Sequence, residues 1–143
     1  MKRIYFACSI SGGRDHAHIY GDIVASIKQA GGEVLSELFA DKALVSEIGT
    51  DPGHTPNFIW ARDCGWMKQA DAIIAEVTQP SLGVGYEIGK AEEWGKPVLA
   101  LFNKSSGKRL SPMISGSPQV QLFEYSEVDE VATAIRTFIE SLA

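Results

Sequence analysis

Residues 70–77 read ADAIIAEV, a continuous apolar run. A strand of this kind is buried on both faces, which happens in a parallel sheet covered by helices. Parallel neighbours need crossover connections of a dozen or more residues, most often helical, and the rest of the chain supplies them. RIYFAC (Arg3–Cys8) reads as a first strand ending in the loop SISGGR. Ile19, Ile23, Ile27 and Ala30 lie at helical spacing within His16–Ala30, and Gly31-Gly32 stops that helix. EVLSE reads as a second strand. The pattern weakens from Leu38 to His54, where a short helix around Asp41–Ile48 and the loop GTDPGH are expected. Thr55 and Pro56 make a helix start, as N-cap and first helical position, and that helix should reach about Gln69. TQPSLGVGYEIGKAEEWGKP (Thr78–Pro97) opens the next helix, ended by Gly95. VLALF is a fourth strand, QVQLFEY a weaker fifth, and Ser126–Leu142 a closing amphipathic helix with Val128, Val131, Ala132, Ile135, Phe138 and Ile139 inward.

Strands alternating with helices predict an α/β domain with a parallel sheet. With five strands the expected fold is three-layer, Rossmann-like and specifically flavodoxin-like, with strand order 2-1-3-4-5. No internal repeat or linker is visible, so residues 1–143 are expected to form one domain. In that order the topological switch point lies between strands one and three. SISGGR and TQPSLGVG, the loops that follow those strands, would then meet at one crevice beyond the carboxyl ends of the sheet.

Composition narrows the partners. A net charge of −5 argues against a binder of nucleic-acid polymers, but a nucleotide monomer needs only a few local donors. No apolar run approaches the roughly 20 residues of a membrane span. MKRIYFACSISGG turns to glycine too early for a signal peptide. Cys8 and Cys64 lack CxxC spacing and suggest buried, reduced thiols in a cytoplasmic protein. His16, His18 and His54 lack metal-ligand spacing, so neither metal nor cofactor is expected.

The segment Thr78–Pro97 crowds Gly83, Gly85 and Gly89 into the first turns of a helix, where each costs about 1 kcal/mol relative to alanine. A helix N-terminus offers unpaired N–H groups to an anion. Gly83 and Gly85 would let a ligand reach that backbone, and Ser81 precedes it. Ser9, Ser11, Gly12, Gly13 and Arg14 add hydroxyls, amides and a cation across the crevice. Together they suggest a cradle for one phosphate. The spacing matches neither a P-loop nor a dinucleotide fingerprint. The alternative is that the glycines permit tight helix-on-sheet packing and the serines are caps.

Glu87 shares the helical stripe of Gly83 at i+4, so both face a ligand or both face solvent. Asp63 lies on the inward stripe of its helix with Ile59, Trp66, Met67 and Ala70. A carboxylate there must pair with a cation such as Arg14, accept backbone hydrogen bonds or face a polar cavity. Tyr5, on strand one, is either a tied-off core phenol or an orienting group for one of these acids. Two carboxylates beside a phosphate cradle suit glycosidic cleavage of a sugar phosphate, which passes through an oxocarbenium-like transition state.

The blocks ADAIIAEVTQPSLGVGYEIGKA, YFACSISGGR, FIWARDCGWMKQAD and LSPMISG carry a resemblance over nearly the whole chain. It resembles the 2'-deoxynucleoside 5'-monophosphate N-hydrolases, a branch of the nucleoside 2-deoxyribosyltransferase family. The resemblance implies that Glu87 is the nucleophile, that Asp63 assists the departing base and that Tyr5 orients Glu87. It implies phosphate and substrate binding by Ser9, Ile10, Ser11, Gly12, Gly13, Arg14, Ser81 and Gly83. Ser111 and Met113 would act in LSPMISG, with Ser111 completing the site of a neighbouring subunit in a homodimer. The products would be a free base and deoxyribose 5-phosphate. Ser11 and Leu38 stand where the family pattern has Arg and His, departures that bear on phosphate affinity and base choice and leave room for ribonucleotides such as CMP. Competing readings are a deoxyribosyltransferase acting on free nucleosides and a catalytically idle nucleotide-binding module.

Overall fold

The computed structural model describes residues 1–9, 17–37 and 54–143. Five strands, β1 (Lys2–Ala7), β2 (Gly32–Val34), β3 (Ala72–Glu76), β4 (Val98–Asn103) and β5 (Val120–Tyr125), form one sheet. Its order is β2-β1-β3-β4-β5, and every neighbouring pair is parallel. This is the expected order. The helices are α1 (Ala17–Gln29), α2 (Pro56–Gln69), α3 (Leu82–Glu93), the single turn α4 (Pro112–Ser115) and α5 (Val131–Glu140).

Each boundary has a local cause. Gly31 ends α1 and Gly95 ends α3 at φ of +89° and +70°, where a side chain would be strained. Thr55 caps α2 by accepting from the Phe58 N–H at 3.1 Å, with Pro56 in its first turn. Ser81 caps α3 through the Val84 N–H at 3.3 Å. All five residues of β3 are buried, including Glu76. Ile19, Tyr20, Ile23 and Ile27 of α1 and Val131, Ile135, Phe138 and Ile139 of α5 are buried, and these two helices contact each other. Helix α2 contacts β1, and α3 contacts β3. Because crossovers in parallel sheets are right-handed, reversing the winding direction after β2 puts α1 and the α2/α3 pair on opposite faces.

Two expectations need correction. The second strand stops at Val34 rather than running through EVLSE. The Ser36 hydroxyl accepts from the Phe6 N–H at 2.9 Å and donates to the Phe6 C=O at 2.8 Å. A side chain thus occupies both groups that a longer strand would have paired. The closing segment begins as a 3-10 turn, Val128–Glu130, before α5, with the Glu130 carboxylate accepting from the Ser126 and Glu127 N–H groups. A short helix also forms within LSPMISG, capped by Ser111 through the Met113 N–H at 3.2 Å. The expected helix at Asp41–Ile48, and Leu38, lie outside the described residues.

Candidate active site

The strand register places the starts of the two expected loops side by side. Ala7 is the partner of Ala75 at the ends of β1 and β3, so Cys8-Ser9 and Val77-Thr78 leave the sheet side by side. Ser9 is fully buried. Ile10, Ser11, Gly12, Gly13 and Arg14 lie outside the described residues.

Tyr5 sits on β1 opposite Ile73, fully buried. Its hydroxyl donates a short hydrogen bond to the Glu87 carboxylate on α3. Burial pushes the Glu87 carboxyl up to about 7, opposed by the Tyr5 hydrogen bond and reinforced by the charge of Asp63. The Tyr5 phenol is raised well above its ordinary range, mainly by burial and then by the charges of Glu87 and Asp63. Burial also raises the Cys64 thiol, and Asp63 and Glu87 add to the effect. One tyrosine and two carboxylates from three elements therefore interact in one place.

The charge of Asp63 reaches both Glu87 and Tyr5, and among the described residues Arg62 pairs with it; Arg14, the cation expected there, lies outside the described residues. The Arg62 Nε donates to the Asp63 Oδ1 at 2.9 Å. Beyond them the Trp60 indole N–H donates to the Tyr86 hydroxyl at 3.0 Å, tying α2 to α3.

Among the described residues, a Cβ at Gly85 or Gly89 would meet nothing within 4 Å, and one at Gly83 would meet only the Ser81 Oγ at 3.8 Å. Among the described residues none of the three is packed against the sheet, which removes the alternative of glycines serving helix-on-sheet packing; Gly83 lies on the stripe of Glu87, and Gly85 and Gly89 share an open face. A groove of about 750 Å³ runs along that face, with Ser81, Gly85 and Gly89 on one side and Arg109, Ser111 and Met113 on the other. Glu87 is not on its walls; it turns toward β1 instead. Leu82 and Met113 at the groove are exposed.

Behind the site lies a network that sequence reasoning missed. The Glu76 carboxylate, buried at the end of β3, accepts from the Thr78 N–H at 2.7 Å, the Thr78 hydroxyl at 2.9 Å and the Tyr125 hydroxyl. Thr78 Oγ1 in turn accepts from the Asn103 N–H at 2.8 Å. The ends of β3, β4 and β5 are thus fastened where the chain turns toward Ser81. The available signal was a carboxylate inside an otherwise apolar strand.

Residues 4–119 match the family model described as nucleoside 2-deoxyribosyltransferase. The chain belongs to that family. Among curated family relatives, the 5-hydroxymethyl-dUMP N-hydrolase of Mus musculus is 43% identical over 141 residues, covering 96% of this chain and 80% of the relative. Among solved structures, the CMP N-glycosidase of Clostridium botulinum superposes with a TM-score of 0.68 at 18% identity, covering 96% of this chain and 99% of the other. A 2-deoxyribosyltransferase from Bacillus psychrosaccharolyticus superposes with a TM-score of 0.65 at 18% identity, covering 91% and 90%. These two structures share the fold of the family.

Proposed function

We propose that this chain hydrolyses the N-glycosidic bond of (2'-deoxy)nucleoside 5'-monophosphates, giving a free base and (deoxy)ribose 5-phosphate. The observation that carries the reading is the desolvated Glu87 carboxylate tethered by the Tyr5 hydroxyl, within electrostatic reach of Asp63. The names of the relatives, N-hydrolases at over 40% identity, point to the same chemistry.

In this mechanism Glu87 attacks C1' as the bond from C1' to the base nitrogen breaks through an oxocarbenium-like transition state. The bonding pair leaves with the base, which takes up the proton carried by the Asp63 carboxyl. Water then attacks C1' and gives a proton back to Asp63, releasing the sugar phosphate and restoring the Glu87 carboxylate. The 5'-phosphate lies against the N-terminus of α3 and Ser81, with Ser9, Ile10, Ser11, Gly12, Gly13 and Arg14 as its further binding residues and Gly83 leaving room for it. The domain spans residues 1–143 and works in the cytoplasm as a homodimer. The open glycine face of α3 is the surface that a second copy covers, bringing its Ser111 and Met113 to the phosphate.

Release of free base from eight ribo- and deoxyribonucleoside monophosphates, with the nucleosides as controls, tests the reading. Monophosphates should be cleaved and nucleosides spared. Transfer of deoxyribose from a nucleoside to an added second base, with the monophosphates left intact, would overturn it in favour of a transferase.

A further inference from the structure

Arg62 and Asp63 form an ion pair from an awkward starting geometry. Adjacent residues on a helix diverge by about 100° around its axis, and the usual helical pairs are three or four apart. Yet the Arg62 Nε meets the Asp63 Oδ1 at 2.9 Å, so the guanidinium folds back along its own helix. Rings hold it there. Its central carbon lies 4.9 Å from the centre of the Trp66 ring and 5.9 Å from that of Phe58. His54 stacks on Phe58 at 4.3 Å, so the ring contacts continue to the start of the helix. Both charged side chains are mostly covered, 14% and 19% exposed.

Stability is a weak reason to build such a pair, because taking two charges out of water can cost as much as their attraction returns. Electrostatics supplies a stronger one. The charge of Asp63 acts on Glu87, Tyr5 and Cys64, so two carboxylates repel across a common space. A cation bonded to Asp63 offsets that repulsion and restricts the rotamer.

We propose that Arg62 is a positioning residue for glycosidic cleavage, holding the Asp63 carboxyl by its Oδ1 beside Glu87 so that a proton taken up on the other oxygen passes to the departing base, with Phe58 and Trp66 as its mount. This rests on the reading of Glu87 and Asp63 as the reacting pair. Its signature is dependence on the leaving group. A nucleobase is a poor leaving anion and needs Asp63, whereas 4-nitrophenolate departs unaided.

The test compares the full-length wild type with Arg62→Gln, Arg62→Lys and Phe58→Ala. Substrates are the best-cleaved nucleoside monophosphate and the matching 4-nitrophenyl glycoside 5-phosphate. Arg62→Gln should lower kcat on the nucleotide about 10- to 100-fold with little change in KM. Its kcat on the aryl substrate should stay within about threefold of wild type, because acid assistance is not needed there. Arg62→Lys should recover part of the loss, and Phe58→Ala should show a smaller loss with the same split. Equal losses on both substrates, or none on the nucleotide, overturn the proposal. Should Arg62→Gln fail to fold, the leaving-group split in Arg62→Lys and Phe58→Ala decides by the same criterion. A wild type that cleaves neither substrate overturns the catalytic reading itself, an outcome distinct from a wild type active on both with no split in the variants.

Discussion

The Tyr5 hydroxyl on β1 donates to the Glu87 carboxylate on α3, so a central strand and the glycine-bearing helix meet through one hydrogen bond. That bond favours the charged carboxylate, whereas burial and Asp63 oppose it. A nucleophile must be ionised to attack. Activity should therefore rise as pH increases through about 7, where Glu87 loses its proton. Tyr5→Phe removes the stabilising donor, so the rising limb of the kcat/KM profile should move to higher pH while the rate falls about 10-fold or more. A limb that stays in place would separate Tyr5 from the ionisation of Glu87.

Glu87→Gln should reduce base release by about 1,000-fold or more while monophosphate binding survives. It should also stabilise the fold in a pH-dependent way. The folded carboxyl is raised from 4.5 to about 7, so between those values the native state holds more protons than the unfolded chain. Stability is lost as pH rises across that window. At pH 8 the glutamine variant should gain roughly 1–3 kcal/mol over wild type, an advantage that fades below about pH 5. Urea titrations at pH 5 and pH 8 measure both ends, and an equal difference at the two would contradict the linkage.

Glu76→Ala should cost about 3 kcal/mol or more, because it leaves the Thr78 N–H and the Tyr125 hydroxyl without their buried acceptor. Glu76→Gln, which keeps an acceptor, should cost less. Equilibrium denaturation ranks them, and equal losses would mean that the carboxylate charge, rather than an acceptor at this position, is what the network needs.

Gly89→Arg should leave the single chain folded, since no described residue within 4 Å opposes a Cβ there. In a homodimer built on this face it should abolish association. Sedimentation velocity reads the outcome directly. A Gly89→Arg protein that still sediments as a dimer would move the interface elsewhere.

Much of the architecture was legible because local signals agreed. Apolar strand runs, the Thr55-Pro56 start and the stops at Gly31 and Gly95 all act within a few residues. Glu87 and Tyr5 were also visible, one by its place in a glycine-rich turn and the other by its strand. What stayed hidden depended on side chains crossing the fold. Ser36 reads as a strand residue until its hydroxyl is seen on Phe6. Arg62 reads as surface charge until its fold-back onto Asp63 is seen. Glu76 is partnered by Tyr125, which lies 49 positions away, a pairing no local pattern encodes.

The Ser36 hydroxyl has a consequence for behaviour in crowded solution. Where β2 stops, the margin of β1 would present the Phe6 amide and carbonyl to any passing extended chain, the usual starting point for strand recruitment and aggregation. The serine occupies both groups from within. A three-residue border strand can therefore stay short without leaving the sheet sticky.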